Sequence, residues 1–376
     1  MGKRFLTATA VALCALGAFA QGITLPPSGG NQRQTIIQQI GPVKVSVEYS
    51  SPHVHSPQGD DRKGKIWGAL VPYGLTNLGF GTCKECPWRG GANENTVFTT
   101  SQDITVQGQK LPAGSYALFF IVDPNEWTAI FSKNHTSWGS FFYDPTEDAL
   151  RVKVKPEKSE YREVLTYDFT ERKDDKATLA MKWEELAAPL EITVPNTADL
   201  YIAQLGNELR SSPGFDYLNF LNAAQYAIQQ KRGPEALAWA KAAADPSQGI
   251  GRETFQTLMT LATAQELNGK TADAAATREK AMNHPTATAV DLHMFGRQLF
   301  NQKKKDEAIK VWEANAKRFG PVWPTNVSLA RASSAKGNYP EALKYAKAAL
   351  AQAPDDGNKK NLEGAIKKLE AGQDIN

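Results

Sequence analysis

The sequence lacks a dominant charge: 43 Lys and Arg face 40 Asp and Glu. That balance excludes a broad electrostatic footprint for nucleic acid or a membrane surface. Long apolar runs are also missing. The run from Phe5 to Leu16 is too short to cross a bilayer, and no later stretch approaches the length needed. No glycine-rich phosphate loop, H-E-x-x-H or G-x-S-x-G occurs, so the chemistries those motifs carry have nothing to rest on, and no cofactor is expected. Cysteine is scarce. Of the three, Cys14 lies in the first apolar run, which leaves the close pair Cys83 and Cys86 for the body of the chain.

What is present at the start has the order of an export signal. Lys3 and Arg4 precede the apolar run, and Ala18-Phe19-Ala20 forms a small-x-small cleavage site before Gln21. Leu13 is too large for the residue before a lipid-modified cysteine, so Cys14 is not expected to carry an acyl anchor. Residues 1–20 are therefore expected to be removed, and the remainder to be soluble and periplasmic or secreted. In an oxidising compartment Cys83 and Cys86 are expected to form a disulfide.

The rest divides into two grammars. Residues 32–195 read as short strands: "VKVSVEYS" (43–50), "SYALFFIV" (115–122), "WTAIFSK" (127–133), "LRVKVK" (150–155), "VLTYDF" (164–169), "ATLAMKW" (177–183) and "LEITV" (190–194). Breaks such as "LPAG" and "DPNE" separate them, and no helix intervenes, which predicts an antiparallel β-sandwich. The connection from Ser50 to Thr96 is long and rich in Trp, Gly and Tyr, and is read as ordered and functional. From about residue 200 to 372 the chain is alanine-rich and helical. Ala274, Ala308 and Ala342 fall 34 residues apart, and Gly269, Lys303 and Gly337 keep the same period. Ala236 precedes them with a surplus that matches the insert "DPSQGIG" (245–251). A small residue at a helix crossing and a helix-turn-helix unit of this length resemble the tetratricopeptide repeat, with residues 357–372 as a polar capping helix. The fold class is thus α+β multidomain, a sandwich followed by a helical solenoid.

Candidate chemistry collects in "GTCKECPWRGGANENT" (81–96). Pro87 stands where haem attachment would need His, and no βαβ unit surrounds the pair as a thioredoxin-like site requires. His53 and His55 offer the alternative of a zinc set with Cys83 and Cys86, although oxidation would remove the thiolates. Arg89, Asn93 and Glu94 flank a Gly-Gly that frees the backbone. An Arg near a Glu is either a catalytic constellation or a satisfied pair that shapes a loop. Glu48, Asp103, Asp144, Glu147 and Asp148 add carboxylates, but no spacing among them selects a glycosidase pair. Trp127 and Trp183 sit in alternating strands and are expected in the core; Trp67 and Trp88, in the long connection, are the expected surface rings for stacking on a ligand.

The stretches "VSVEYSSPHV" (45–54), "GKIWGALVPYG" (64–74), "WRGGANENTVFTTSQDITVQGQKLPAGSYALFFI" (88–121), "EWTAIFSKN" (126–134) and "WGSFFYDPTEDALRVKVKP" (138–156) resemble the bacterial domain-of-unknown-function family 2911. The resemblance implies a fold type, export, and the frequent presence of C-terminal tetratricopeptide repeats. It also implies that "LTNLGFGTCKECP" (75–87) is an insertion, since the family's tyrosine-glycine usually runs almost directly into tryptophan-arginine. The cysteines would then stand outside any activity common to the family.

Two functional classes follow. One is a non-enzymatic binding or scaffolding protein that takes a protein or peptide on its helical repeats and a ligand beside Trp67, Trp88, Arg89, Asn93 and Glu94. The other is a hydrolase of carbohydrate or cell-envelope material with Glu94 as acid/base. An open pocket that brings Glu94 near a second carboxylate favours the second; a Glu94 held against Arg89 with no adjoining cavity favours the first.

Overall fold

A computed structural model describes residues 31–376. The expected export signal and Cys14 lie outside the described residues. The chain divides into two compact units between Thr197 and Ala198.

The first unit holds strands β1 (Gln32–Ile40), β2 (Val43–Ser51), β3 (Val97–Thr100), β4 (Ile104–Val106), β5 (Gln109–Leu111), β6 (Gly114–Ile121), β7 (Trp127–Ser132), β8 (Asp148–Val154), β9 (Glu157–Thr170) and β10 (Lys176–Thr193). They form a six-stranded antiparallel sheet, β1-β2-β3-β6-β7-β8, and a four-stranded one, β5-β4-β10-β9. Strand β2 shows why. Its period-two pattern buries Val43, Val45, Val47 and Tyr49 and turns Lys44 to solvent. Each such apolar side chain contributes about 1.5–3 kcal/mol on leaving water. Gly41, at φ +54°, supplies the left-handed step of the turn that sets Ile40 opposite Val43. The sheets meet where the rings of Tyr49 and Tyr167 lie 4.8 Å apart and the Tyr167 amide donates to Tyr49 Oη at 3.2 Å.

One strand differs from expectation. Residues 177–183 and 190–193 belong to a single long strand, β10, which passes through a bulge. At Glu184, φ +54°, the register against β9 shifts. A bulge inserts a residue and bends the strand without ending it, so the broken alternation there imitates a strand boundary.

The second unit is helical: α1 (Thr197–Glu208), α2 (Tyr217–Gln229), α3 (Gly233–Ala244), α4 (Phe255–Leu267), α5 (Thr271–Asn283), α6 (Ala289–Asn301), α7 (Lys305–Phe319), α8 (Trp323–Ala335), α9 (Tyr339–Ala351) and α10 (Asp356–Glu370). Helices pack as hairpins, α2 with α3, α4 with α5, α6 with α7 and α8 with α9. Ala236, Ala274, Ala308 and Ala342 are each fully buried on the second helix of a hairpin. A methyl is all the crossing admits. At the turns, Lys231, Gly269, Lys303 and Gly337 all take positive φ, so the two lysines hold the left-handed conformation that glycine adopts without strain. Among the described residues, no helix is long and apolar enough to cross a membrane.

Candidate functional site

The long connection after β2 is stitched to both sheets. Val54 N donates to Glu163 O at 2.7 Å and Leu165 N to Pro52 O at 2.9 Å, which ties the connection to β9. On the other side Gly74 N donates to Val122 O at 2.8 Å, and Trp88 exchanges backbone hydrogen bonds with Phe120 at 2.9 and 2.8 Å. Satisfied backbone groups hold this segment in one course.

Between these anchors lies a cavity of about 540 Å³. Its wall comes from His53 and His55, from Leu70 to Pro72, from Cys86 to Arg89, and from Trp183 of β10. Trp88 and Trp183 face each other nearly parallel, centroids 6.2 Å apart. Trp67 stands edge-on to both at 5.8 Å and lies 4.9 Å from Trp127. Trp67 and Trp88 are therefore half-buried members of a four-ring cluster, not free surface rings. Rings from the connection and rings from the strands pack on one another because edge-to-face contacts add to their large apolar burial. Trp127 and Trp183 are in the core, each 1% exposed.

The Gly-Gly positions Arg89. Gly90 has φ +63° and accepts from Tyr167 Oη at 2.7 Å, and a Cβ on it would collide with that hydroxyl. The chain thus passes tightly over β9, and the preceding Arg89 is directed along the cavity wall. Its Nη1 donates to Asn93 O at 2.7 Å, and its guanidinium lies over the Phe141 ring at 5.1 Å. Asn93, at φ +58°, takes the left-handed conformation that Asn tolerates better than most residues. Burial pulls the Arg89 pKa below its ordinary value. Among the described residues no carboxylate lies within ion-pair distance of Arg89.

Glu94 is elsewhere. Its Oε2 accepts from Arg33 Nη1 at 3.1 Å and Ser50 Oγ at 3.2 Å, and it does not line the cavity. Arg33 also donates to Glu48 Oε1 at 2.6 Å. The two carboxylates share an arginine across β1 and β2, and the expected contact between Arg89 and Glu94 is replaced by this one. Residues four or five apart in a turning loop can face opposite ways.

His53 and His55 sit at the cavity edge beside β9. Glu163 accepts from the His55 amide at 2.9 Å, meets its Nδ1 at 2.9 Å, and accepts from Tyr161 Oη at 2.6 Å. Partial burial raises the Glu163 pKa, but these hydrogen bonds outweigh it and hold the carboxyl down at about 2. The hydrogen bond and charge of Glu163 raise the pKa of His55. Cys83 and Cys86 are joined in a disulfide, with Cα atoms 5.7 Å apart. Bonded to each other, they offer no thiolate to the zinc set with His53 and His55. Among the described residues no group of three or more His, Cys, Asp and Glu is placed to hold a metal. The disulfide is buried against Ala117, Phe119 and Ile130 of β6 and β7, so its loop covers the outer face of the larger sheet.

Residues 31–192 match the model of a family described as a protein of unknown function (DUF2911). The match covers the first unit. No curated protein matches the chain. Among solved structures, one titled "Crystal structure of MamA" is similar at 19% identity and a TM-score of 0.29, covering 42% of this chain and 88% of that one. A similarity that loose places neither fold nor function.

The structure adds residues to the site. Arg62, Leu70, Val71 and Ser140 line the cavity, and Trp183 joins them from the core. Only the continuity of apolar and aromatic residues through "KIWGALVPYG" marked that region in sequence. Nothing local marked Arg33 as the partner of Glu94, because the two are 61 residues apart.

Proposed function

We propose that the protein is a non-enzymatic, exported binding protein whose first unit holds a small ligand. On this reading the two sheets form a sandwich, and the cavity beside Trp88 is its binding site. The helical hairpins build a tetratricopeptide-like solenoid, whose surface offers a place for a protein or peptide partner.

The observation that carries the reading is the composition of the cavity wall. It is of ligand size, divided about evenly between polar and apolar surface with Trp88 on it, and carries Arg62 and Arg89 but no Asp or Glu among the described residues. Hydrolysis of a glycoside requires two carboxylates across the scissile bond, about 5–9.5 Å apart. Glu94, the acid/base of the hydrolase alternative, stands outside this wall and is engaged by Arg33.

The test is a thermal-shift screen of the processed protein against small organic molecules, followed by recovery of each bound compound. The reading expects compounds that raise Tm and are recovered unchanged by mass spectrometry. Turnover of a compound by the purified protein, abolished by Glu94→Gln, would restore the hydrolase.

A further inference from the structure

We propose that this cavity is selective for a small organic anion, a carboxylate attached to a flat or extended apolar body. The proposal rests on the cavity being the ligand site. It adds which chemical class the site takes and which residue selects it.

Arg89 carries the argument. Its guanidinium is fixed on three sides: by the Asn93 carbonyl at 2.7 Å, by the face of Phe141, and by Gly139, where even a Cβ would crowd Cζ at 2.5 Å. One carbonyl satisfies a single N–H of a group that carries five. The remaining N–H groups are not sealed off from the cavity, and an anionic acceptor binds such groups more strongly than a neutral one does. Arg62, on the same wall, likewise has no carboxylate within ion-pair distance among the described residues.

The protein's nearby carboxylates are engaged elsewhere. Glu163 is held by His55 and Tyr161, Asp61 lies 3.7 Å from His55 Nε2, and Glu94 is bound to Arg33. None of them lines the cavity. The positive charge of the wall is therefore met by the ligand, and a bidentate carboxylate fits the planar guanidinium fork.

The remainder of the wall sets the body of the ligand. Half-buried Trp88, with Leu70, Pro72 and Leu78, supplies the accessible apolar surface. With the Trp88 and Trp183 centroids 6.2 Å apart, no third ring enters between them, since two stacked gaps of about 3.5 Å each are needed. The body lies along Trp88 and these aliphatic side chains. A phosphate-rich ligand fits less well, because neither a glycine-rich phosphate loop nor a helix N-terminus contributes to this wall.

The cluster of tryptophans gives the readout. Intrinsic fluorescence is titrated with a panel of aryl and alkyl carboxylates headed by 4-phenylbutyrate, with the methyl ester and the amine of each as isosteres. Carboxylates are expected to bind at least tenfold more tightly than their esters, and the amines more weakly still. Arg89→Gln should cost the carboxylates tenfold or more while leaving ester affinity within twofold. Arg62→Gln, at a half-exposed position, should cost less and keeps the test open if Arg89→Gln does not fold. If acids and esters bind alike and both variants leave the acids unaffected, the cavity remains a ligand site and the anion selectivity is wrong. If no member of the panel perturbs the fluorescence, the cavity itself is not the ligand site and both readings fall.

Discussion

The two units solve packing in opposite ways. The helical unit repeats a small residue, Ala236, Ala274, Ala308 and Ala342, at one crossing after another. The first unit gathers four large rings, Trp67, Trp88, Trp127 and Trp183, at one place with no repeat. Repetition of small residues lets the axes of paired helices approach closely. Large rings brought together by a long connection pack on one another without a repeat, and Trp88 at the edge of that cluster borders the cavity. The regular unit declares its architecture, and the irregular one holds the candidate chemistry.

The largest test of that contrast is Trp127→Ala. Deleting a fully buried ring should destabilise the first unit by about 3–5 kcal/mol in denaturant unfolding followed by fluorescence. A loss near 1 kcal/mol would mean the cluster is loosely packed and the cavity ill-defined.

Next in size is an acid effect in the helical unit. His293 is buried on α6 with Nδ1 2.9 Å from Ser328 Oγ. Burial first, then Arg331 and Arg297, push its pKa down to about 4. An unfolded histidine titrates near 6.5, so below that the unfolded chain binds the extra proton and the folded one resists it. Stability should therefore be flat above pH 6.5 and fall by about 3 kcal/mol toward pH 4 from this residue alone. His293→Gln should flatten that slope in thermal melts taken across the range. An unchanged slope assigns the acid sensitivity to other groups.

Ala308→Leu tests the repeat directly. Overfilling a closed crossing should cost about 1–3 kcal/mol, measured by circular dichroism at 222 nm during unfolding. Tolerance of leucine there would make the spacing of alanines incidental.

The smallest effect concerns the turns. Lys303, at φ +63°, occupies the place that Gly269 and Gly337 hold in neighbouring hairpins. Lys303→Gly should stabilise by up to about 1 kcal/mol, and Gly269→Ala should destabilise by a similar amount. Equal melting temperatures for both variants and the parent would show that the turns carry no backbone strain.

Much of the fold was legible. The alternation of Val43, Val45, Val47 and Tyr49 announced β2, and the apolar run Ala117–Phe120, which lacks alternation, belongs to a strand buried on both faces. The second face was hidden because its cover, the disulfide loop, comes from a stretch of sequence remote from the strand. Strands β3, β4 and β5 are three or four residues long, too short for a periodic signal to accumulate. At the site, "WRGGANENT" supplies Arg89 and Asn93, which line the cavity, and Glu94, which does not.

Composition and periodicity by themselves determined that this chain is strands followed by helical hairpins and that alanine closes the helix crossings. Those properties are set by neighbours a few residues apart, or by a repeat of fixed length, so a linear reading reaches them. Tertiary structure alone decided that Glu94 turns to Arg33 and Ser50, that four tryptophans meet, and that Arg89 stands on a cavity wall without a carboxylate. Such facts depend on which of many similar side chains are brought together across dozens of residues, and the packing of two sheets selects them.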